Sequence, residues 1–356
     1  MDDRITKIQE QFKEKNIDCF LVTSKENIFY LTGFTGDSGV LFIAPRKTLL
    51  ITDYRFQGEL ISNINKGIDV CITKKGYIKE LKTHRIAKRK SRIGFEGNSI
   101  SYSLYWELRK KLDWLKFKSL DSFVEDLRMM KTKEEIKKIR IACNILDEAF
   151  KATIPYIKEG VSETDISIEL EYRMKKAGGE KPAFETIVAS GYRSAIPHGV
   201  ASSKKIKKGE FITIDFGTIY QGYNSDITRT AFLGKPTKKD KKIYETVYSA
   251  QKLAYESVKE NMKTKDLDKI ARDYISDSGF GEYFSHSLGH GVGLRVHEKP
   301  TISNKDKCYL KKGMVFTIEP GIYIPGYQGV RIEDTVALEN CKGELLTNSE
   351  RELMVL

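Results

Sequence analysis

No long apolar run interrupts the 356-residue chain. Its most apolar stretches, such as Val40 to Ala44, fall far short of the roughly 18 residues that a membrane-spanning helix requires. No membrane partner is therefore expected. Met1 to Glu10 mixes charges of both signs and has no apolar core before a small-residue cleavage site, so a secretory signal is excluded and a cytoplasmic location is expected. Cysteine is scarce as well: Cys19, Cys71, Cys143, Cys308 and Cys341 are odd in number and at least 33 positions apart. Neither a disulfide framework nor a Cys-x-x-Cys motif fits that spacing, and all five are expected as buried thiols.

What is present is the balance of a globular protein, with 40 % hydrophobic and 31 % charged residues and a mean hydropathy of -0.42. The net charge of +12 leans toward the first third of the chain and is densest in His84 to Arg92. No aromatic residue interleaves that run to stack a base, so it is taken as a solvated face, and no nucleic-acid partner is expected.

Apolar patterning divides the chain in two. An amphipathic Ile5 to Asn16 and the strand-like runs Cys19 to Thr23, Gly39 to Ala44 and Thr48 to Thr52 make residues 1–125 an α/β domain. Residues 126–356 are expected to be α+β. In this second domain Thr132 and Glu135 have capping-box spacing ahead of a long helix. Further helices are expected near Lys238 to Lys259 and Lys265 to Ser278, among strands and Gly-rich turns.

An internal duplication frames the chemistry. Lys207 to Gly217 recurs 104 positions later as Lys311 to Gly321, preserving Lys-Lys-Gly, Thr-Ile, an acid and Gly, and the match continues to Tyr223 and Tyr327. Two related half-units facing each other are inferred. In each, one acid ends a strand and another follows a Gly-bearing turn: Asp215 then Asp226, and Glu319 then Glu333. Cross-strand pairing centred near Tyr220 and Gln221, and near Gly326, would put each pair on one face of its hairpin. Four converging interior carboxylates repel one another unless protons or cations neutralise them.

Of five histidines, four (His198, His286, His290, His297) fall in this same domain. Carboxylates with imidazoles suit manganese, cobalt, zinc or iron(II). Two such ions ~3.5–4 Å apart would both meet the charge requirement and create a hydrolytic nucleophile. The His286-x-x-x-His290 spacing is not a helical zinc pair, because Gly289, Gly291 and Gly293 oppose a helix there.

Pro197-His198-Gly199, Asp215-Phe-Gly217, Ser225-Asp226-Ile-Thr-Arg-Thr230, His286 to Glu298, Thr317-Ile-Glu319-Pro-Gly321 and Val330-Arg331-Ile-Glu333-Asp334 together resemble the proline-specific metallopeptidases of the pita-bread fold. Leu31 to Gly36 and Thr52 to Phe56 resemble the creatinase-like N-terminal domain of the same proteins, so the resemblance spans the chain. It implies a C-terminal pita-bread domain behind a smaller creatinase-like domain. It also implies two divalent metal ions, manganese first and cobalt or zinc as alternatives, on Asp215, Asp226, His290, Glu319 and Glu333. By the same resemblance, His198 and His297 lie beside the scissile carbonyl, His286 and Arg331 support the site, and Glu319 shuttles a proton. Tyr323 and Arg295 are candidate substrate-binding residues.

The implied reaction is hydrolysis of the Xaa-Pro bond of dipeptides or short peptides by a metal-bridging hydroxide, in a homodimer. Gly33 to Asp37 is more reminiscent of the aminopeptidases and the C-terminal half of the dipeptidases, which leaves substrate length open. A non-catalytic pita-bread binding module is the alternative, but such modules lose metal ligands and this chain keeps all five.

Overall fold

The computed structural model describes residues 3–58, 64–84 and 87–356. Arg85 and Ile86 of the basic run lie outside that description, while Lys88, Arg89, Lys90 and Arg92 are exposed. The chain separates into two compact units, Met1–Arg128 and Met129–Leu356. The short helix Glu125–Arg128 stays with the first unit, because the buried Arg128 guanidinium donates to Asn27 Oδ1 at 2.8 Å.

The first unit is built on one mixed sheet. Its strands are β1 (Cys19–Val22), β2 (Gly39–Ala44), β3 (Lys47–Asp53), β4 (Asp69–Thr73), β5 (Arg92–Phe95) and β6 (Lys116–Ser119), in the order β4-β3-β2-β1-β5-β6. Residues Val40 to Ala44 and Thr48 to Thr52 are buried almost without interruption, because they occupy central strands packed on both faces. The amphipathic N-terminal stretch is two helices, Asp3–Glu10 and Phe12–Lys15, closed by Asn16 in the left-handed region at φ 54°.

Two of the five thiols are buried as expected, Cys19 and Cys143, but the rest are not. Cys71 and Cys308 are half-buried and Cys341 is exposed. The reason is positional: Cys71 lies on edge strand β4, and Cys341 (φ 65°) follows Asn340 (φ 47°) in a tight turn. That turn joins β17 (Asp334–Glu339) to β18 (Lys342–Leu345).

The second unit repeats one plan twice, two helices followed by antiparallel strands. In the first half, helices Lys133–Thr153 and Glu163–Lys176 precede β7 (Ile187–Ser190), β8 (Glu210–Phe216), the short β9 (Ile219–Tyr220) and β10 (Tyr223–Asn224), and β11 (Ile227–Leu233). In the second half, helices Lys238–Ser257 and Thr264–Asp277 precede β12 (Gly289–Gly291), β13 (Glu298–Ile302), β14 (Val315–Ile318), β15 (Gly321–Tyr323), β16 (Gly329–Arg331), β17 and β18. Both leading helices open with capping boxes, Thr132 with Glu135 and Thr237 with Asp240. The sheets order as β19-β11-β8-β7, where β19 is Met354–Val355, and β13-β12-β14-β17-β18. Each sheet packs one face on its helices, Phe150, Leu170, Ile212 and Ile214 marking the first core and Val247, Leu267, Phe316 and Val336 the second.

Candidate active site

The first hairpin turns at Gln221 and Gly222, both at positive φ (47° and 80°), the two-residue turn whose twist matches antiparallel strands. This sets the register one step from the expected centre. Asp215 faces Thr228 rather than Asp226, and Asp226 precedes β11 two positions away from that partner. A displacement of two residues preserves the face, so both acids still point to one side. The second hairpin keeps the expected register: Ile318 pairs with Asp334 and Gly321 with Arg331, which sets Glu319 against Glu333 between them.

The halves join along a seam through these acids. Thr228 and Glu333 form an antiparallel bridge, and Thr228 Oγ1 donates to Glu333 Oε2 at 2.6 Å. Arg331 Nη2 reaches back to Asp215 Oδ2 at 2.6 Å, and its Nε donates to Thr228 Oγ1 at 3.0 Å. Arg229, from the first half, donates in turn to the Glu333 carbonyl and to Asp334 Oδ1. Each half thus holds an acid of the other.

His290 enters from β12, where the strand is squeezed between β13 and β14. A Cβ at Gly289 would stand 2.0 Å from the Thr317 carbonyl oxygen, and one at Gly291 would stand 2.2 Å from that of Lys299. Only glycine fits on either side of this histidine, which explains the Gly-His-Gly pattern. His290 Nε2 lies 3.3 Å from Glu319 Oε1 and 3.6 Å from Asp226 Oδ2. The His297 ring packs edge-on against His290 at 4.1 Å.

Asp215, Asp226, Glu319, Glu333, His198, His286, His290, His297 and Arg331 all line one cavity of about 460 Å³. Phe184, Glu185, Ile187, Pro197 and Val200 complete much of its wall. Two expected residues stand apart from it. Tyr323 is buried behind the wall, where its hydroxyl meets Arg331 Nη1 at 2.8 Å and His286 Nε2 at 3.0 Å, so it braces rather than faces the cavity. Arg295 is exposed and does not line the cavity.

The buried acids need protons or a cation to neutralise them. Asp215 Oδ1, Asp226 Oδ1 and Glu333 Oε1 are buried and accept no hydrogen bond. On Asp215 and Glu333 the second oxygen is anchored by Arg331 and Thr228, and on Glu319 Oε1 is held by Thr317 at 3.0 Å. Anchoring one oxygen while leaving the other bare is how outer partners orient metal-ligating carboxylates. Burial, then the charges of Glu333 and Asp215, push the Asp226 carboxyl well above its usual range. Burial, then Glu319 and Asp215, do the same to Glu333, and burial raises Glu319. Burial also lowers His286, His290 and His297, the last to about 4 with His290 as second cause, so these imidazoles are neutral donors at pH 7. Asp226, His290 and Glu333 already place ligand atoms within 4.8 Å of one another. The donor set of oxygen and imidazole therefore fits divalent metal ions.

Sequence alone assigns no role to Thr228 and Thr317, yet they hold Glu333 and Glu319. Their signal was the motif itself, since each stands two residues from a candidate ligand, after Asp226 and before Glu319.

Comparison with known proteins matches residues 137–340 to metallopeptidase family M24 and residues 4–130 to the creatinase/prolidase N-terminal domain. An Xaa-Pro dipeptidase of Pyrococcus horikoshii is 44% identical over 356 residues, covering 99% of this chain and 99% of that protein. Among solved structures, an Xaa-Pro dipeptidase from Bacillus anthracis superposes with a TM-score of 0.96 at 40% identity, over 99% of each chain. An X-Pro aminopeptidase from Thermotoga maritima gives 0.88 at 39% identity, over 96% of this chain and 98% of that one. With the carboxylate and imidazole cavity in its second unit and the duplicated half-sheets around it, the chain belongs to metallopeptidase family M24, with the pita-bread fold behind a creatinase/prolidase N-terminal domain.

Proposed function

We propose that the chain hydrolyses the Xaa-Pro bond at the N-terminus of dipeptides or short peptides. The observation that carries this reading is the trio of bare, buried oxygens on Asp215, Asp226 and Glu333, in one cavity with His198 and His297. Asp215, Asp226, His290, Glu319 and Glu333 would hold two divalent ions, with Asp226 and Glu333 shared between them. Manganese is the first choice and cobalt or zinc the alternatives. Such a pair supplies Lewis acidity and an activated water at neutral pH.

The protein's own groups account for the rest. A prolyl nitrogen carries no N–H, so strand-like backbone pairing cannot fix the scissile bond, and side chains must do so. His198 and His297 would donate to the substrate carbonyl oxygen as charge develops on it. The leaving group is a secondary amine that needs a proton, which Glu319 would carry. Arg331 keeps the Asp215 carboxylate aimed inward, and His286 with Tyr323 keeps Arg331 in place. The acids around Asp215 attract the free α-amine, which accounts for action at the N-terminus.

The 44%-identical Pyrococcus relative is named for dipeptides and the Thermotoga structure for an aminopeptidase. The test is hydrolysis of Ala-Pro, Ala-Pro-Ala and Ala-Ala by manganese-reconstituted and by chelated protein. Metal-dependent cleavage of Ala-Pro and not of Ala-Ala is expected. Cleavage of Ala-Pro-Ala as well would extend the substrates to longer peptides, and cleavage of neither by metal-loaded protein would overturn the reading in favour of a binding module. A homodimer acting in the cytoplasm belongs to the same proposal, and light scattering that finds only monomer at working concentration would remove the dimer from it.

A further inference from the structure

A second group of side chains able to ligate a metal lies in the first unit, which contributes none of the peptidase residues above. Cys71 on β4, and Glu80 and His84 on and just after the helix Tyr77–Thr83, place a sulfur, a carboxylate oxygen and an imidazole nitrogen all within 4.8 Å of one another. All three are half-buried. Glu80 and His84 are four residues apart, which stacks them on one helix face, with Nε2 of His84 3.9 Å from Glu80 Oε2. The other Glu80 oxygen accepts a hydrogen bond from Thr73 Oγ1 at 3.0 Å. That repeats, in a different setting, the anchoring seen on Asp215 and Glu333: one oxygen fixed by a neighbour, the other turned toward the remaining ligands. Thr73 is itself on β4, two residues beyond Cys71, so strand and helix are fixed to each other by side-chain bonds independent of any ion.

We propose that Cys71, Glu80 and His84 form a metal site of their own, selective for a zinc-class ion. The donor types decide the metal. Thiolate and imidazole ligands favour zinc or cobalt(II) over magnesium, calcium or manganese, whereas the oxygen-rich peptidase site accommodates the harder ions. Three protein ligands leave one tetrahedral position for water. Binding replaces the thiol proton by the ion, which releases one proton to solvent and makes affinity rise with pH. The bound ion would tie β4 to the helix. Among the described residues β4 is an edge strand that pairs only with β3, so the ion would add to the Thr73–Glu80 bond that already joins strand and helix.

Cobalt(II) distinguishes this site from the other, because only a thiolate ligand gives the intense near-ultraviolet sulfur-to-cobalt band and the peptidase donors include no sulfur. Full-length protein, kept reduced with a non-chelating phosphine, is titrated with cobalt(II), and the zinc content of zinc-saturated protein is measured in parallel. The expected result is a charge-transfer band whose final intensity corresponds to one thiolate-bound cobalt per chain, whatever the total cobalt taken up by the peptidase cavity. The band is absent in C71S, and zinc content there is lower by one equivalent. E80Q and H84A, which retain the thiol, should keep the band but weaken cobalt affinity about tenfold or more. Far-ultraviolet circular dichroism checks that each variant is folded. No band in the parent chain, or a band of equal intensity in folded C71S, would overturn the proposal.

Discussion

The two copies of the Lys-Lys-Gly repeat make hairpins that share strands and turn but differ in where their acids fall. In the first, shorter Asp side chains sit two positions out of opposition, Asp215 facing Thr228. In the second, longer Glu side chains stand directly opposed, Glu319 against Glu333. The vacancy left opposite Asp215 is filled by Thr228, which bonds not its own hairpin's acid but Glu333 of the other. Duplication therefore preserved the scaffold while the acids diverged in length and register, so that one cavity receives four acids that are not two identical pairs.

The largest expected effect comes from the residue both hairpins touch. Glu333→Ala should lower kcat/KM for Ala-Pro by ~1000-fold or more and reduce metal content with it. Steady-state kinetics with metal analysis checks this, and full activity would refute the role of the seam. Next, Thr228→Val removes only the hydroxyl that crosses between the halves. A loss of about 10- to 100-fold in metal affinity is expected, with little change in fold. If affinity is unchanged, the two hairpins are coupled through backbone alone.

The smallest effect is on stability of the metal-free protein. Asp226 and Glu333 have native pKa values raised by burial, so the native state binds more protons than the unfolded chain and stability falls as pH rises through those values. The lowered histidines act oppositely, costing stability as pH falls below 6.5, with His297 protonated in the native state only near about 4. Chelated protein should therefore lose thermal stability as the pH rises above the ordinary carboxylate range, and metal should restore it. A scan with no such slope would mean that the acids discharge their repulsion by rearranging.

Much of this was legible in the chain. The Thr132–Glu135 capping box, the Gly39 to Ala44 strand, the repeat and the motifs that carry the acids and histidines are local patterns, and local patterns survive in sequence. The register of the first hairpin was not, because it depends on Gln221 and Gly222 both adopting positive φ, and nothing marks Gln221 for that conformation. The roles of Thr228 and Thr317 were hidden for another reason: a threonine in a strand is ordinary until a carboxylate from elsewhere meets it. Cys71, Glu80 and His84 escaped because strand and helix bring them together, and their spacing matches no metal motif.

The strand Met354–Val355 pairs in parallel with Ala231 and Phe232 of β11, which precede it by more than one hundred residues. At ~5–20 residues per second, a ribosome needs on the order of ten seconds to make that interval. Through that time the first half-sheet waits with an open edge, and Glu333, which its Thr228 will hold, is the later of the two to emerge. The nascent chain thus has a window of vulnerability to mispairing that the finished enzyme conceals, and its length is set by translation speed.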